Sequence, residues 1–305
     1  MLASMPAAPT FSIVTPTRNR PESLARAYES LRNQTCADWE WIVIDDASRV
    51  ADYVSAYPRA DSRVRAHRLA TRGGKGAARN AGVAAARGAW IGFLDDDDEL
   101  LPGHLAAMAA ALRRDATPRI IRSRLAVRGA SGRRRAERSW VDSADAWVYY
   151  LFAPGNIFPW IAPASVVRAA SFSDDPYFQD AQFFLTLALD TPIERLPDVT
   201  GVYHVSGPSA TAEAIDAPTA RERLELEHAA IERLFAHPHP RLVDYRRRGL
   251  DRLAKAAYCI YYATATPGLS LRETSERCLR LAGDQWRTYY WLARLAAVRL
   301  RSRLA

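Results

Sequence analysis

The chain has 305 residues, 49% of them hydrophobic, and a formal net charge of +8. That apolar content suffices for one large domain, or for a domain with an appendage. Lys75 and Lys255 are the two lysines, so the positive charge is almost all arginine. In a chain also rich in alanine this reads as genomic composition bias, and no recognition motif accompanies it to support nucleic-acid binding. An anionic partner such as a nucleotide, a phosphorylated lipid or an acidic membrane surface remains compatible. Cys36, Cys259 and Cys278 form no CxxC or Cys/His pattern, which excludes a zinc ribbon and predicts reduced, mostly buried thiols in a cytosolic protein.

Residues 1–10 read as a disordered leader without the charged and apolar regions of a signal peptide. A strand is expected over 11–15. A helix follows over 21–33, with proline in its first turn and Leu24, Tyr28 and Leu31 on one face. A second strand over 39–44 ends at Asp45 and Asp46. A short helix is expected over 50–57 and a third strand over 64–69. Gly73 and Gly74 open a small-residue helix over 75–87, closed by Gly88. A strand over 89–94 and a helix over 102–114 complete an alternation that implies βαβ units and a mostly parallel sheet. Residues 119–128 alternate like a strand, 180–189 read as a helix and 201–205 as a short strand. The uncharged stretch 146–167 is interrupted by Pro154, Gly155, Asn156, Pro159 and Pro163. It would make a poor spanning helix and reads as a loop-rich apolar surface lining a pocket. From about 213 strand signals end and helical spacing takes over. The expected division is therefore 11–212 as the main domain and 213–305 as an α-helical appendage.

The stretch Ala-Trp-Ile-Gly-Phe-Leu-Asp-Asp-Asp-Asp at 89–98 is the most informative. Asp95, Asp96, Asp97 and Asp98 end a strand of an open α/β sheet, where ligands bind. Two like charges about 4 Å apart repel by about 4 kcal/mol at an effective dielectric of about 20. Such a cluster persists where a cation sits or where the strand end is fully wet. Oxygen-only ligands suit a hard divalent ion such as Mg²⁺ or Mn²⁺.

Four segments occur in order: Ser12-Ile-Val-Thr-Pro-Thr-Arg-Asn-Arg, Trp41-Ile-Val-Ile-Asp-Asp-Ala-Ser, Gly76-Ala-Ala-Arg-Asn-Ala-Gly and Phe93-Leu-Asp-Asp-Asp-Asp. Together they resemble the motifs of the family 2 glycosyltransferases over roughly residues 10–210. The resemblance implies the GT-A fold and an inverting, metal-dependent sugar transfer from a nucleotide-diphosphate sugar, UDP-linked above all, with Mn²⁺ or Mg²⁺ as cofactor. It implies a bacterial, cytosolic enzyme of polysaccharide synthesis, acting on a glycan or lipid-linked acceptor. Asp46 resembles the residue that reads the nucleotide base, since a carboxylate accepts the ring N–H of uracil. Thr15, with Pro16 and Arg18 beside it, lies where the family contacts the nucleotide. Arg79 and Asn80 fall near nucleotide and phosphates. Asp95 and Asp97 match the Asp-x-Asp positions, Asp97 for direct metal ligation and Asp95 for ribose or metal, with Asp96 and Asp98 in support.

Asp180, in Tyr-Phe-Gln-Asp-Ala-Gln-Phe, matches the general base. The family usually places Glu where this chain has Gln179. The competing reading of Asp180 is a helix N-cap. His204 is a candidate for the diphosphate or the metal, against a structural role. Trp147, Tyr149, Tyr150, Phe152, Phe158 and Trp160 fit either sugar stacking or core. Residues 286–305 mix Trp286, Tyr289, Tyr290 and Trp291 with arginines, which fits peripheral binding to the inner face of the membrane or a helix packed on the domain. Acceptor choice is expected to reside in 129–178.

Three rivals are disfavoured by the sequence. A haloacid-dehalogenase-type phosphatase using Asp95 would not have Glu99 at its position. A P-loop fails because Gly76 follows Lys75, and a dinucleotide fold lacks its glycines after strand one. A non-catalytic glycan- or membrane-binding member of the same fold is disfavoured by intact Asp46, Asp95, Asp97 and Asp180.

Overall fold

In a computed structural model of the protein, residues 8–50, 52–128, 134–136, 144–152, 158–174, 178–204, 220–265 and 271–282 are described. The elements in the first part of the chain are β1 (Phe11–Thr17), α1 (Pro21–Arg32), β2 (Trp39–Asp45), α2 (Ala56–Ala60), β3 (Val64–Arg68), α3 (Gly74–Ala85), β4 (Trp90–Phe93), β5 (Glu99–Leu100) and α4 (His104–Arg114). There follow β6 (Ile120–Arg128), β7 (Arg134–Ala136), α5 (Ala146–Leu151), β8 (Trp160–Pro163), α6 (Ala164–Arg168), α7 (Gln179–Asp190) and β9 (Ile193–His204). The helices α8 (Ala220–Ala236), α9 (Pro240–Arg247), α10 (Leu250–Ala265) and α11 (Leu271–Ala282) end the described chain. Two compact units result, 1–139 with 153–207, and 140–152 with 208–305.

The first unit holds the sheet, in the order β3-β2-β1-β4-β8-β6-β9-β5, with β7 on β6. β1 pairs parallel with β2 through seven residue pairs and with β4 through four. Every residue of β1 and β2 is buried, as expected for parallel strands covered on both faces. On α1 the buried positions Leu24, Ala27, Tyr28 and Leu31 follow helical spacing, and Pro21 takes the first turn, where its missing N–H costs nothing. α3 lies close on β1, because a Cβ at Gly82 would fall on the Val14 side chain. Both β4 and α3 therefore deliver their ends beside the C-terminal ends of β1 and β2.

The sheet turns mixed beyond β4. β8 runs antiparallel to β4 and β6, and β5 antiparallel to β9. β9 is much longer than the strand expected at 201–205: it starts at Ile193 and pairs parallel with β6 through register shifts near Arg124. Pro197 and Asp198 imitate a turn in the sequence, and the irregular register is how the strand absorbs them. The helix expected at 50–57 forms later, at Ala56–Ala60.

Where described, the stretch 146–167 is two short helices and a strand rather than a loop-rich surface. Phe158, Trp160 and Ile161 are fully buried. Trp160 packs on Phe93 and Phe184, with ring centroids 5.3 and 5.4 Å away. Pro159 and Pro163 bracket Trp160, Ile161 and Ala162, which join the core.

The described part of the second unit is helical. Asp145 caps α5 through the amides of Trp147 and Val148 and accepts from the Tyr245 hydroxyl at 2.5 Å. Trp147 stacks on Tyr245, with centroids 4.9 Å apart, and meets Phe235 edge-on. Cys259 and Cys278 are buried free thiols here. No described helix is long and apolar enough to cross a membrane. Residues 286–305 lie outside the described residues.

Candidate active site

The candidate site sits at the C-terminal ends of β1, β2 and β4. It begins with Asp45 and Asp46. The Asp45 carboxylate accepts from the amide and hydroxyl of Ser48, closing a tight turn that includes Ala47 at φ 50°. Asp46 points the other way. Its two oxygens accept from the amides of Gly73 at 2.6 Å and Gly74 at 3.0 Å. Gly74, at φ 83°, supplies the left-handed residue that exposes these amides at the start of α3.

The Thr15 hydroxyl accepts from Trp41 Nε1 at 2.8 Å and is buried in the core, so its side chain does not face the open end of the sheet. Pro16 is buried as well. Arg18 is half-buried, and its Nε has no hydrogen-bond partner among the described residues. Thr17, which sequence reasoning did not single out, donates to Asp96 Oδ2 at 2.8 Å and lies 3.1 Å from the Tyr53 hydroxyl.

The four aspartates have separate fates. Asp95 Oδ1 accepts from Arg79 Nη2 at 2.7 Å, and Lys75 Nζ is 4.0 Å from its other oxygen. Burial alone would raise the Asp95 pKa, but the Arg79 and Lys75 charges outweigh it and hold the carboxyl below its ordinary value. Asp97 Oδ2 accepts from Arg20 Nη1 at 2.7 Å. Asp96 is tied to Thr17 and lies 3.4 Å from Arg20. Burial, then the Asp97 charge, push its carboxyl up to about 6. Asp98 is fully buried and accepts the His204 amide at 2.9 Å. Burial and the charges of Asp95 and Asp97 drive its pKa well up.

Asp95, Asp97 and Asp98 each present an oxygen within 4.8 Å of the others. Asp98 Oδ2 is buried and lacks a hydrogen-bond partner among the described residues. An all-carboxylate set with one uncompensated buried oxygen fits a hard divalent cation. His204 is not in this cluster. Its Nε2 lies 2.9 Å from Glu99 Oε1, a close contact poorly aligned for a hydrogen bond. Burial, outweighing Glu99, keeps its pKa below the ordinary value.

Arg79 is fully buried and ties the site together. Burial works against its charge, but Asp95 and then Asp180 more than restore it. Asn80 turns aside, exchanging two hydrogen bonds with the Phe172 backbone, at 3.0 and 2.9 Å. This pins the segment before α7 against α3. Phe172 stacks on Phe183 with centroids 3.8 Å apart. A Cβ on Gly76 would fall on the Ser173 carbonyl oxygen and within 2.6 Å of Gln179 Oε1. Only glycine therefore permits α7 to approach the first turn of α3.

Asp180 stands in the first turn of α7. It does not cap the helix: Phe178 takes that position at φ 62°, with no side-chain cap. The half-buried Asp180 carboxylate accepts from the adjacent Ala181 amide at 3.1 Å. A small pocket of about 50 Å³ lies at the start of α7, where Ser171, Ser173, Gln179, Gln182 and Thr186 share its wall with the apolar Ala170 and Phe183. The aromatic residues 147, 150, 152, 158 and 160 are buried. They serve as core, while Tyr149 is half-buried.

Residues 12–162 match the model of glycosyl transferase family 2. The chain is 37% identical over 107 residues to the O-antigen biosynthesis protein RfbC of Myxococcus xanthus, covering 34% of this chain and 8% of that protein. It is 41% identical over 102 residues to the succinoglycan biosynthesis protein ExoO of Rhizobium meliloti, covering 33% and 29%. The chain thus spans less than a third of either relative. Among solved structures, S. aureus TarS 1-349 in complex with UDP-GlcNAc matches with a TM-score of 0.65 at 16% identity, over 95% of this chain and 83% of that one. The mannosyltransferase PcManGT of Pyrobaculum calidifontis, in complex with GDP-Man and Mn²⁺, matches with a TM-score of 0.58 at 17% identity, over 96% and 87%. At such identities the likeness concerns the fold, which is GT-A. With the ordered motifs at the ends of β1, β2 and β4 and the matched span of 12–162, the chain belongs, through its sheet-bearing N-terminal part, to glycosyl transferase family 2.

Proposed function

We propose that the chain is an inverting, metal-dependent glycosyltransferase that moves a sugar from a nucleotide-diphosphate sugar to a hydroxyl of a glycan or lipid-linked acceptor in polysaccharide synthesis. The observation that carries this reading is the convergence of Asp95, Asp97 and Asp98 within 4.8 Å at the end of β4, with the buried Arg79 paired to Asp95 at 2.7 Å.

Each residue then has a role. Asp97, Asp95 and Asp98 hold a divalent cation. When bound, Mn²⁺ or Mg²⁺ neutralises charge that develops on the leaving diphosphate. Asp46 and the Gly73–Gly74 amides form the floor for the nucleoside, and a carboxylate there favours a uracil N–H. Lys75 and Arg18 supply positive charge towards the phosphates. Asp180 accepts the proton of the acceptor hydroxyl as its oxygen attacks the anomeric carbon. The bond to the diphosphate oxygen breaks on the opposite face and the electron pair leaves with the diphosphate, so the anomeric centre inverts. Arg79 pairs with Asp95 and holds it ionised and in place.

UDP-sugars are the first donors to examine, because Asp46 is a hydrogen-bond acceptor and TarS has been solved with UDP-GlcNAc. The test is a panel of UDP- and GDP-sugars with Mn²⁺, followed by nucleotide release and by the anomeric configuration of the product in NMR spectra. Release with inversion, abolished in Asp97→Ala, supports the reading. Retention of configuration would remove the single-displacement role of Asp180.

A further inference from the structure

Arg20 occupies a position that the catalytic reading does not use. Its Nη1 donates to Asp97 Oδ2 at 2.7 Å and lies 3.4 Å from Asp96 Oδ1. The side chain is only 12% exposed. The neighbouring backbone keeps it there: Asn19, at φ 55°, donates its amide to Ser48 Oγ at 2.9 Å and accepts from the Arg49 amide at 2.7 Å. Pro21 then starts α1. The guanidinium is thus anchored beside one of the three carboxylates suited to a cation.

A guanidinium stays charged at every working pH. A divalent ion held by Asp95, Asp97 and Asp98 has to share Asp97 with this fixed positive charge, and like charges at such range disfavour one another. A diphosphate brings negative charge that offsets both cations at once. We propose that Arg20 is a positioning residue that holds Asp97 and opposes metal uptake by the free protein, so that cation and diphosphate bind as a coupled pair. This rests on the metal-dependent reading given above. Coupling of this kind is reciprocal: whatever the diphosphate does for the metal, the metal does for the diphosphate.

The test is calorimetric titration of Mn²⁺ into the full chain, alone and with saturating UDP or, in parallel, GDP. Wild type, Arg20→Gln and Arg20→Lys are compared after circular dichroism has matched their folds. Arg20→Gln is expected to bind Mn²⁺ alone about tenfold more tightly and to lose most of the nucleotide's effect on that affinity. Arg20→Lys, which keeps the charge, is expected to stay within about twofold of wild type. An unchanged or weaker affinity for Mn²⁺ alone in Arg20→Gln overturns the proposal, as does an equal shift in both variants. Absence of Mn²⁺ binding to all three proteins, with and without nucleotide, would instead remove the metal-dependent reading and this proposal with it.

Discussion

Arg79 Nη2 lies 2.7 Å from Asp95 Oδ1 in a pair where the guanidinium is fully buried. This contact joins α3 to the end of β4. It fixes the first aspartate of the cluster at the end of β4. Breaking a buried pair from one side leaves a charge without compensation. Asp95→Asn and Arg79→Met are each expected to lower stability by about 3–5 kcal/mol. The double variant should lose much less than the sum. Urea unfolding of the three proteins measures this, and simple additivity would show that the two residues are not coupled.

Asp180 offers a cleaner separation of chemistry from stability. Among the described residues its carboxylate makes one local hydrogen bond, to the Ala181 amide, and it does not cap α7. Asp180→Asn is therefore expected to leave the melting temperature within a degree or two, while lowering kcat by about 10²–10⁴-fold. A large loss of stability with little change in kcat would assign the residue to the helix instead.

Gly76 sets the approach of α7 to α3. In Gly76→Ala the added methyl meets a backbone carbonyl at Ser173 and the end of Gln179, and the carbonyl is the less able to move. Overpacking of this kind costs about 1–3 kcal/mol. Displacement of α7 should also lower kcat, because Asp180 rides on it. Equilibrium unfolding and single-turnover rates on one preparation test both parts.

His104 gives a pH signature remote from the chemistry. It is buried, with Nδ1 2.8 Å from Thr200 Oγ1, and burial pulls its pKa from 6.5 down to about 3. Above 6.5 both folded and unfolded chains carry it neutral. Between that value and about 3 only the unfolded chain takes up the proton, so stability falls as the pH falls. Between about pH 7 and about pH 4.5 wild type should lose roughly 2–3 kcal/mol more than His104→Gln, as read by urea midpoints. Parallel curves for the two proteins would contradict this.

His204 makes a prediction of the opposite kind. Its imidazole lies against Glu99 and its amide on Asp98, so its side chain has no place among the three clustered carboxylates. His204→Gln is expected to change Mn²⁺ affinity by less than about threefold. A hundredfold loss would make it a ligand.

Much of this site was legible because its residues lie at strand ends, where short-range pattern and chemistry coincide. The apolar run before Asp95 and the Gly73–Gly74 start of α3 are of that sort. What escaped were partnerships across long separations. Thr17 on Asp96 and Arg20 on Asp97 join residues more than seventy positions apart. No local period marks such pairs. The burial of Thr15 was hidden too, since its hydroxyl satisfies Trp41 from the neighbouring strand. Residues 146–167 misled through their prolines, which signal turns yet do not report that the aromatic residues between them are core.

The most direct test of the account is calorimetric binding of UDP and GDP, with and without Mn²⁺, to wild type and Asp97→Ala. The account predicts nucleotide binding that requires Mn²⁺ and is lost in Asp97→Ala. Absence of binding to either nucleotide with Mn²⁺ present would contradict it, and binding unaffected by both Mn²⁺ and Asp97→Ala would contradict its metal site.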